Sequence, residues 1–204
     1  MTNHLHIGDL PSSLEFGSSV AVDTETMGLN PHRDRLCLIQ ISNGDGDCHL
    51  VQMLSPNNYN APNLSAMLSN PNILKIFHFA RFDVAMLQKY LGITCTPNYC
   101  TKIASKLVRT YTDKHGLKEL CKEMLNVDLN KSSQSSDWSV YELSKEQLKY
   151  ASHDVIYLFR LKEKLEEMIA REDRQELLQK SFDFLPIRVK LDLAGWHDTD
   201  IFSH

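Results

Sequence analysis

The chain has no C-x-x-C pair, and its cysteines, Cys37, Cys48, Cys95, Cys100 and Cys121, are odd in number and irregularly spaced. Neither a disulfide framework nor a structural zinc site is built that way, so all five are expected to be reduced and mostly buried. No apolar run reaches the roughly 18 residues of a membrane span. Met1 to Gly17 has neither the basic start nor the apolar stretch of a secretory signal. The expectation is a cytoplasmic protein without membrane contact. Basic excess is missing too: 22 Lys and Arg stand against 26 Asp and Glu, a net charge of −4. Long duplex binders carry the opposite balance, so any nucleic-acid contact should be short or local. What is present is ordinary for a globular protein, with 42% apolar and 24% charged residues over 204 positions and no internal repeat. One compact domain is the expectation.

After a polar start, Ser19 to Asp23 reads as a strand that runs into Asp23-Thr24-Glu25. Leu36 to Ile41 and Cys48 to Met53 read as two more strands. Asn43-Gly44-Asp45-Gly46-Asp47 between them tolerates positive φ and suits a hairpin. The acidic turn lacks the ligand series of a calcium loop. These first three strands are expected to be antiparallel. Pro62 to Leu68 reads as a helix, Ile73 to Phe77 as a buried strand, and Phe82, Ala85, Met86 and Leu87 as one helical face. Helices are expected at Thr101 to Thr110 and at Leu117 to Leu125, and a loop at the serine-rich stretch Asn130 to Asp137. Ser144 and Gln147 form a capping box for a long helix running to about Ala170. Pro186 is expected to end the last helix, which divides the chain into a domain over residues 1–185 and a tail over 186–204. The tail keeps Leu191, Leu193, Trp196, Ile201 and Phe202, too apolar to float free, and is expected to pack on the domain or on a neighbouring subunit. The fold class is α/β: a mixed sheet flanked by helices, in the order found in RNase H-like nucleases.

Four carboxylates and a tyrosine carry the chemistry. Asp23 and Glu25 lie two apart in extended chain, so both side chains share one face. Asp83 follows the buried strand at a helix start. Tyr150 and Asp154, four apart, share a helical face one turn apart, while the intervening His153 points about 100° away from Asp154. Each has a bland reading alone, as a cap, a turn or a packing tyrosine; their joint order is harder to explain so.

In VAVDTETMGL, IFHFARFD and SSDWSVYELSKEQLKYASHDVIYL, across roughly residues 20 to 165, the sequence resembles the RNase D-like 3′-5′ exonucleases of the tyrosine class. KIASKLVRTYTDKHGLKELC and the stop near residue 204 are similar to the short, stand-alone nano-RNase C subgroup. The histidine class would place a histidine where Lys149 stands. One departure is Tyr141-Glu142, where many RNase D relatives have Arg-Pro.

The resemblance implies a metal-dependent exoribonuclease that removes nucleoside 5′-monophosphates from short RNA, especially dinucleotides, in a homo-oligomer, a ring of eight. Asp23, Glu25, Asp83 and Asp154 would hold two divalent cations, Mg²⁺ or Mn²⁺, which favour hard oxygen ligands and balance four negative charges. Tyr150 would hold the attacking water, being a poor base at an ordinary pKa near 10. Leu29 resembles the apolar wedge that relatives set between the last two bases, Thr26 would serve the terminal sugar, and His78 the terminal ribose or phosphate. Trp138 reads mainly as core. Lys102, Lys106, Arg109, Lys114, Lys118 and Lys122, set against only Asp113 and Glu119, form either a phosphate-attracting patch or a solvated helix face. The alternatives are a broader exonuclease on structured RNA or DNA 3′ ends and a non-catalytic binding module.

Overall fold

The computed structural model describes residues 2–129 and 136–204. Six strands, β1 (Thr2–Ile7), β2 (Ser19–Thr26), β3 (Leu36–Ser42), β4 (Asp47–Gln52), β5 (Leu74–Phe77) and β6 (Asn98–Cys100), form one sheet in the order β1-β4-β3-β2-β5-β6. β2, β3 and β4 are antiparallel, as expected, and the flanking pairs β1–β4, β2–β5 and β5–β6 are parallel. The antiparallel three are therefore the second to fourth strands. β1 escapes the sequence reading because Thr2, Asn3, His4 and His6 alternate with only Leu5 and Ile7, an edge pattern with one apolar face half in water. β6 is only three residues long and runs directly into a helix.

Every residue of β3 is buried, which requires cover on both faces of the sheet. The turn from β3 to β4 uses Gly44 at φ +80°, where an added Cβ would sit 2.9 Å from the Phe159 ring. The helices are α1 (Pro62–Ser69), α2 (Ala80–Leu91), α3 (Thr101–Val108), α4 (Leu117–Leu125), α5 (Lys145–Ile156), α6 (Leu158–Arg171) and α7 (Gln175–Leu191). α5 crosses β1 to β4, whereas α6 packs on α3 and α4. All five cysteines are buried and unpaired.

Two expectations about helices need correction. The long helix after Ser144 is two helices, broken at Tyr157 (φ −92°, ψ −9°). Its capping box is present: the Ser144 hydroxyl accepts from Gln147 N at 3.1 Å, and Gln147 Oε1 accepts from Ser144 N at 3.0 Å. Periodicity hides the break because Leu158 still follows Val155 at helical spacing, although α5 and α6 bury those residues against different partners. Pro186 does not end the last helix. α7 continues to Leu191 because Phe182, Leu185 and Val189 on either side of the proline are buried, which offsets the roughly 3 kcal/mol that an interior proline costs. Beyond α7 a wide π-type turn, Asp192–Trp196, closes the helical part. There Asp192 is buried and clasped by Arg81 Nε at 2.6 Å and Arg188 Nη2 at 2.5 Å. Of the loop expected at Asn130 to Asp137, residues 130–135 lie outside the described residues. No helix among the described residues is long and apolar enough to cross a membrane.

Candidate active site

The alternation of β2 sends Val22 and Thr24 to one side of the sheet and Asp23 and Glu25 to the other, toward α5. Between Glu25 and Thr26 the pairing with β3 slips at a β-bulge, which re-aims the chain as it leaves the sheet. α5 presents Tyr150 and Asp154 one turn apart over the same strand end. Carboxylate oxygens of Asp23, Glu25 and Asp154 all lie within 4.8 Å of one another, the one such trio of metal-ligating groups among the described residues.

Asp83, in the first turn of α2, borders the same cleft but is tied to the sheet from behind: the Thr24 hydroxyl donates to its Oδ1 at 2.7 Å. In sequence Thr24 carries no overt sign of this role, because it lies between the two acids and points to the other face. Its signal was the strict alternation, which frees it to hold a group arriving from α2.

The electrostatics follow from crowding. Burial, then the neighbouring Asp83, Asp154 and Glu25, push Asp23 well above the ordinary carboxylate range. Burial, then Asp154 and Asp83, do the same to Glu25. Burial lifts Asp83 to about 7 against the opposing hydrogen bond from Thr24. Burial and the adjacent Asp154, to which the phenol is hydrogen-bonded, push the Tyr150 hydroxyl further upward, so it is protonated at neutral pH. Such a hard-oxygen donor set, strained by its own negative charge, is chemically suited to a divalent cation of the Mg²⁺ or Mn²⁺ type.

These side chains line a cleft of about 710 Å³. Thr26, Leu29 and His78 border it as well. Leu29 is 84% exposed, so it belongs to the cleft rim and not to the core. The Thr26 hydroxyl donates to Gly28 O at 2.5 Å, and His78 Nδ1 lies 2.9 Å from the Thr101 hydroxyl. An added Cβ at Gly28 would meet Asp34 Oδ2 at 2.3 Å, so any larger residue there requires the Asp34 carboxylate to move. Trp138 is buried, its ring 6.0 Å from that of Tyr150, and acts as the packing support of the tyrosine. His153 faces Tyr157 instead of the cleft.

The basic stretch contributes less than its count. Arg109 is fully buried, donates to Lys114 O at 2.6 Å and pairs with Glu123, so it is structural. Lys118, which also borders the cleft, and Lys122 reach Asp128 at 3.6 and 3.7 Å. Lys102 borders the cleft, with its ammonium 4.1 Å over the Phe79 ring. Phe79 itself, partly exposed at the cleft, went unremarked in the sequence because an aromatic beside a strand end ordinarily signals core.

A family model described as 3′-5′ exonuclease matches residues 6–170. Ribonuclease D of Jannaschia sp. (strain CCS1) is 34% identical over 164 residues, which cover 79% of this chain and 42% of that protein. The chain spans about two fifths of the length of the ribonuclease D relatives it matches. Among solved structures, Brucella melitensis NrnC bound to pGG is 52% identical with a TM-score of 0.96, covering 100% of this chain and 99% of that one. Brucella melitensis NrnC with bound Mg²⁺ is 51% identical with a TM-score of 0.95, covering 100% of both chains. The strand-end acids, the helical tyrosine and these likenesses agree: the chain belongs to the 3′-5′ exonuclease family, as an RNase D-like nuclease of the NrnC type.

Proposed function

We propose that this exonuclease is metal-dependent and acts chiefly on very short RNA, dinucleotides above all, releasing nucleoside 5′-monophosphates. The carrying observation is the convergence of Asp23, Glu25 and Asp154 within 4.8 Å, with Asp83 and Tyr150 on the same cleft. Asp23, Glu25, Asp83 and Asp154 would hold two divalent cations. When bound, such ions supply positive charge against the phosphate and let water attack at neutral pH. Tyr150, kept neutral, donates to Asp154, and its oxygen accepts from the attacking water, orienting it toward phosphorus. The water's oxygen adds to phosphorus, the bond to the 3′ oxygen breaks, and a proton given up by the water ends on that oxygen, leaving a new 3′-hydroxyl on the shortened strand.

Three features favour a short substrate. The cleft volume of about 710 Å³ falls in the range of small-ligand sites, about 300–1,000 Å³, and an extended groove is not needed to explain it. The net charge of −4 gives little hold on a long polymer. The NrnC of Brucella melitensis, half identical in sequence, has been seen with pGG. Leu29 at the rim is suited to wedge between the two bases, with Thr26 and His78 near the terminal sugar.

The apolar side chains of Trp196, Ile201 and Phe202, all exposed in the single chain, favour self-association, for which light scattering is the check. A labelled dinucleotide and a labelled 20-mer, compared at one salt concentration with and without chelator, test the rest. The expected result is fast cleavage of the dinucleotide, abolished by chelator. Equal rates on both lengths would remove the preference, and cleavage undiminished by chelator would remove the metal.

A further inference from the structure

A second cluster of ligating side chains lies away from the carboxylates, where the N-terminal edge strand β1 meets β4. His6 Nε2 and His49 Nδ1 share a hydrogen bond of 3.0 Å, one as donor and the other as acceptor, with ring planes only 19° from parallel. His4 stacks on His49 at 5.0 Å between centroids, and its Nε2 lies 3.5 Å from Asp47 Oδ2. Phe16 meets His49 edge-on, and Asp45 is the remaining charge near it. All three histidines are partly exposed, so the cluster is open to ions from solvent.

The cluster is separate from the nuclease site. His4 pairs with His49, His49 with Ile41, and Ile41 with Val22, whereas Asp23 belongs to the next row, opposite Gln40. By alternation the histidines and the acidic pair Asp23 and Glu25 point to opposite faces of the sheet.

We propose that His6 and His49 form a binding site for a borderline transition-metal cation, Cu²⁺, Ni²⁺ or Zn²⁺, that staples β1 to β4. Two imidazole nitrogens 3.0 Å apart, each about 2.0–2.1 Å from one ion, subtend about 91–97° at it. That is the angle between adjacent ligands in tetragonal or octahedral coordination, the arrangement that Cu²⁺ and Ni²⁺ prefer, and imidazole suits all three metals. A bound ion would replace the hydrogen bond between them, each ring turning by roughly 40° so that both lone pairs meet at the metal. Burial and the nearby histidines keep His6 and His49 less basic than usual, so both are neutral at pH 7. A neutral imidazole exposes either nitrogen by choice of tautomer, so no proton need be lost. Asp47 and His4 flank the pair, and water completes the coordination. The hard ions suited to the carboxylates have no preference for this nitrogen pair.

The test uses the protein without a histidine tag, stripped with chelator and titrated with Cu²⁺ under electron paramagnetic resonance, and with Ni²⁺ by calorimetry. One tight ion per chain with a two-nitrogen pattern is expected. The His6→Ala, His49→Ala double variant should bind at least tenfold more weakly and lose the pattern, while its nuclease rate in Mg²⁺ is unchanged. Asp154→Asn should bind as the parent does. In the unaltered protein, Ni²⁺ should slow amide hydrogen exchange in β1, a readout independent of any variant's folding. Binding unchanged in the double variant would overturn the site, as would displacement of the ion by millimolar Mg²⁺, which would assign it to the carboxylates. Retention in His49→Ala alone would also overturn it, because the N-terminal segment would then suffice.

Discussion

Replacing Asp154 with asparagine should make the metal-free protein more stable while destroying its activity. Within 4.8 Å of Asp23 and Glu25, an ionised Asp154 repels each. At an effective dielectric of 20 that separation corresponds to about 3.5 kcal/mol per fully ionised pair. Protons retained by the crowded acids already relieve part of it, so the expected gain is about 2 kcal/mol at pH 8. The amide keeps the shape and the contact with Tyr150, so little packing is lost. The pH dependence has a definite sign. Asp83 is raised from 3.8 to about 7, and Asp23 and Glu25 are raised as well. The native state therefore binds more protons than the unfolded chain between about pH 4 and pH 7. In chelator, stability falls as pH rises through that window, by up to about 4 kcal/mol for Asp83 alone. Mg²⁺ should restore it in the parent at pH 8 and restore less in Asp154→Asn. Urea unfolding at pH 5 and pH 8, with chelator or Mg²⁺, measures all of this. An Asp154→Asn protein less stable than the parent in chelator at pH 8, or a parent equally stable at both pH values, would refute charge crowding at the site.

Tyr150→Phe removes the hydroxyl and leaves the ring against Trp138, so cleavage should slow by about 10²–10⁴-fold with dinucleotide affinity retained, measured by single-turnover kinetics and equilibrium binding. Leu29→Ala, at a position 84% exposed, should leave the melting temperature unchanged and raise KM for a dinucleotide. Asp192→Ala strips the buried partner from Arg81 and Arg188, and should cost about 2–3 kcal/mol in denaturant unfolding, less than a fully buried pair because Arg81 is partly exposed.

How much of this was legible in sequence depended on range. Asp23 and Glu25 share a face because β2 is extended, and Tyr150 and Asp154 because α5 is helical; local periodicity is enough for both. The Ser144–Gln147 cap could be read for the same reason. The bond from Thr24 to Asp83 spans 59 positions, and only the folded chain brings its ends together. The break at Tyr157 and the continuation of α7 through Pro186 were likewise decided by what each helix packs against, which outweighed propensity. β1 was missed because its pairing with β4 is parallel and lies 45 positions away, so no turn announces it. Arg109 adds no available charge to the basic stretch, since it is fully buried, and burial cannot be read from a run of basic residues.

Helix α5 comes late in the chain, and with it Tyr150 and Asp154, whereas Asp23 and Glu25 are on the second strand. The last acid can therefore meet the first only after the whole stretch between β2 and α5 has been made and has left the exit tunnel. The acidic site is therefore assembled only once α5 has folded over β2, however early the strands pair.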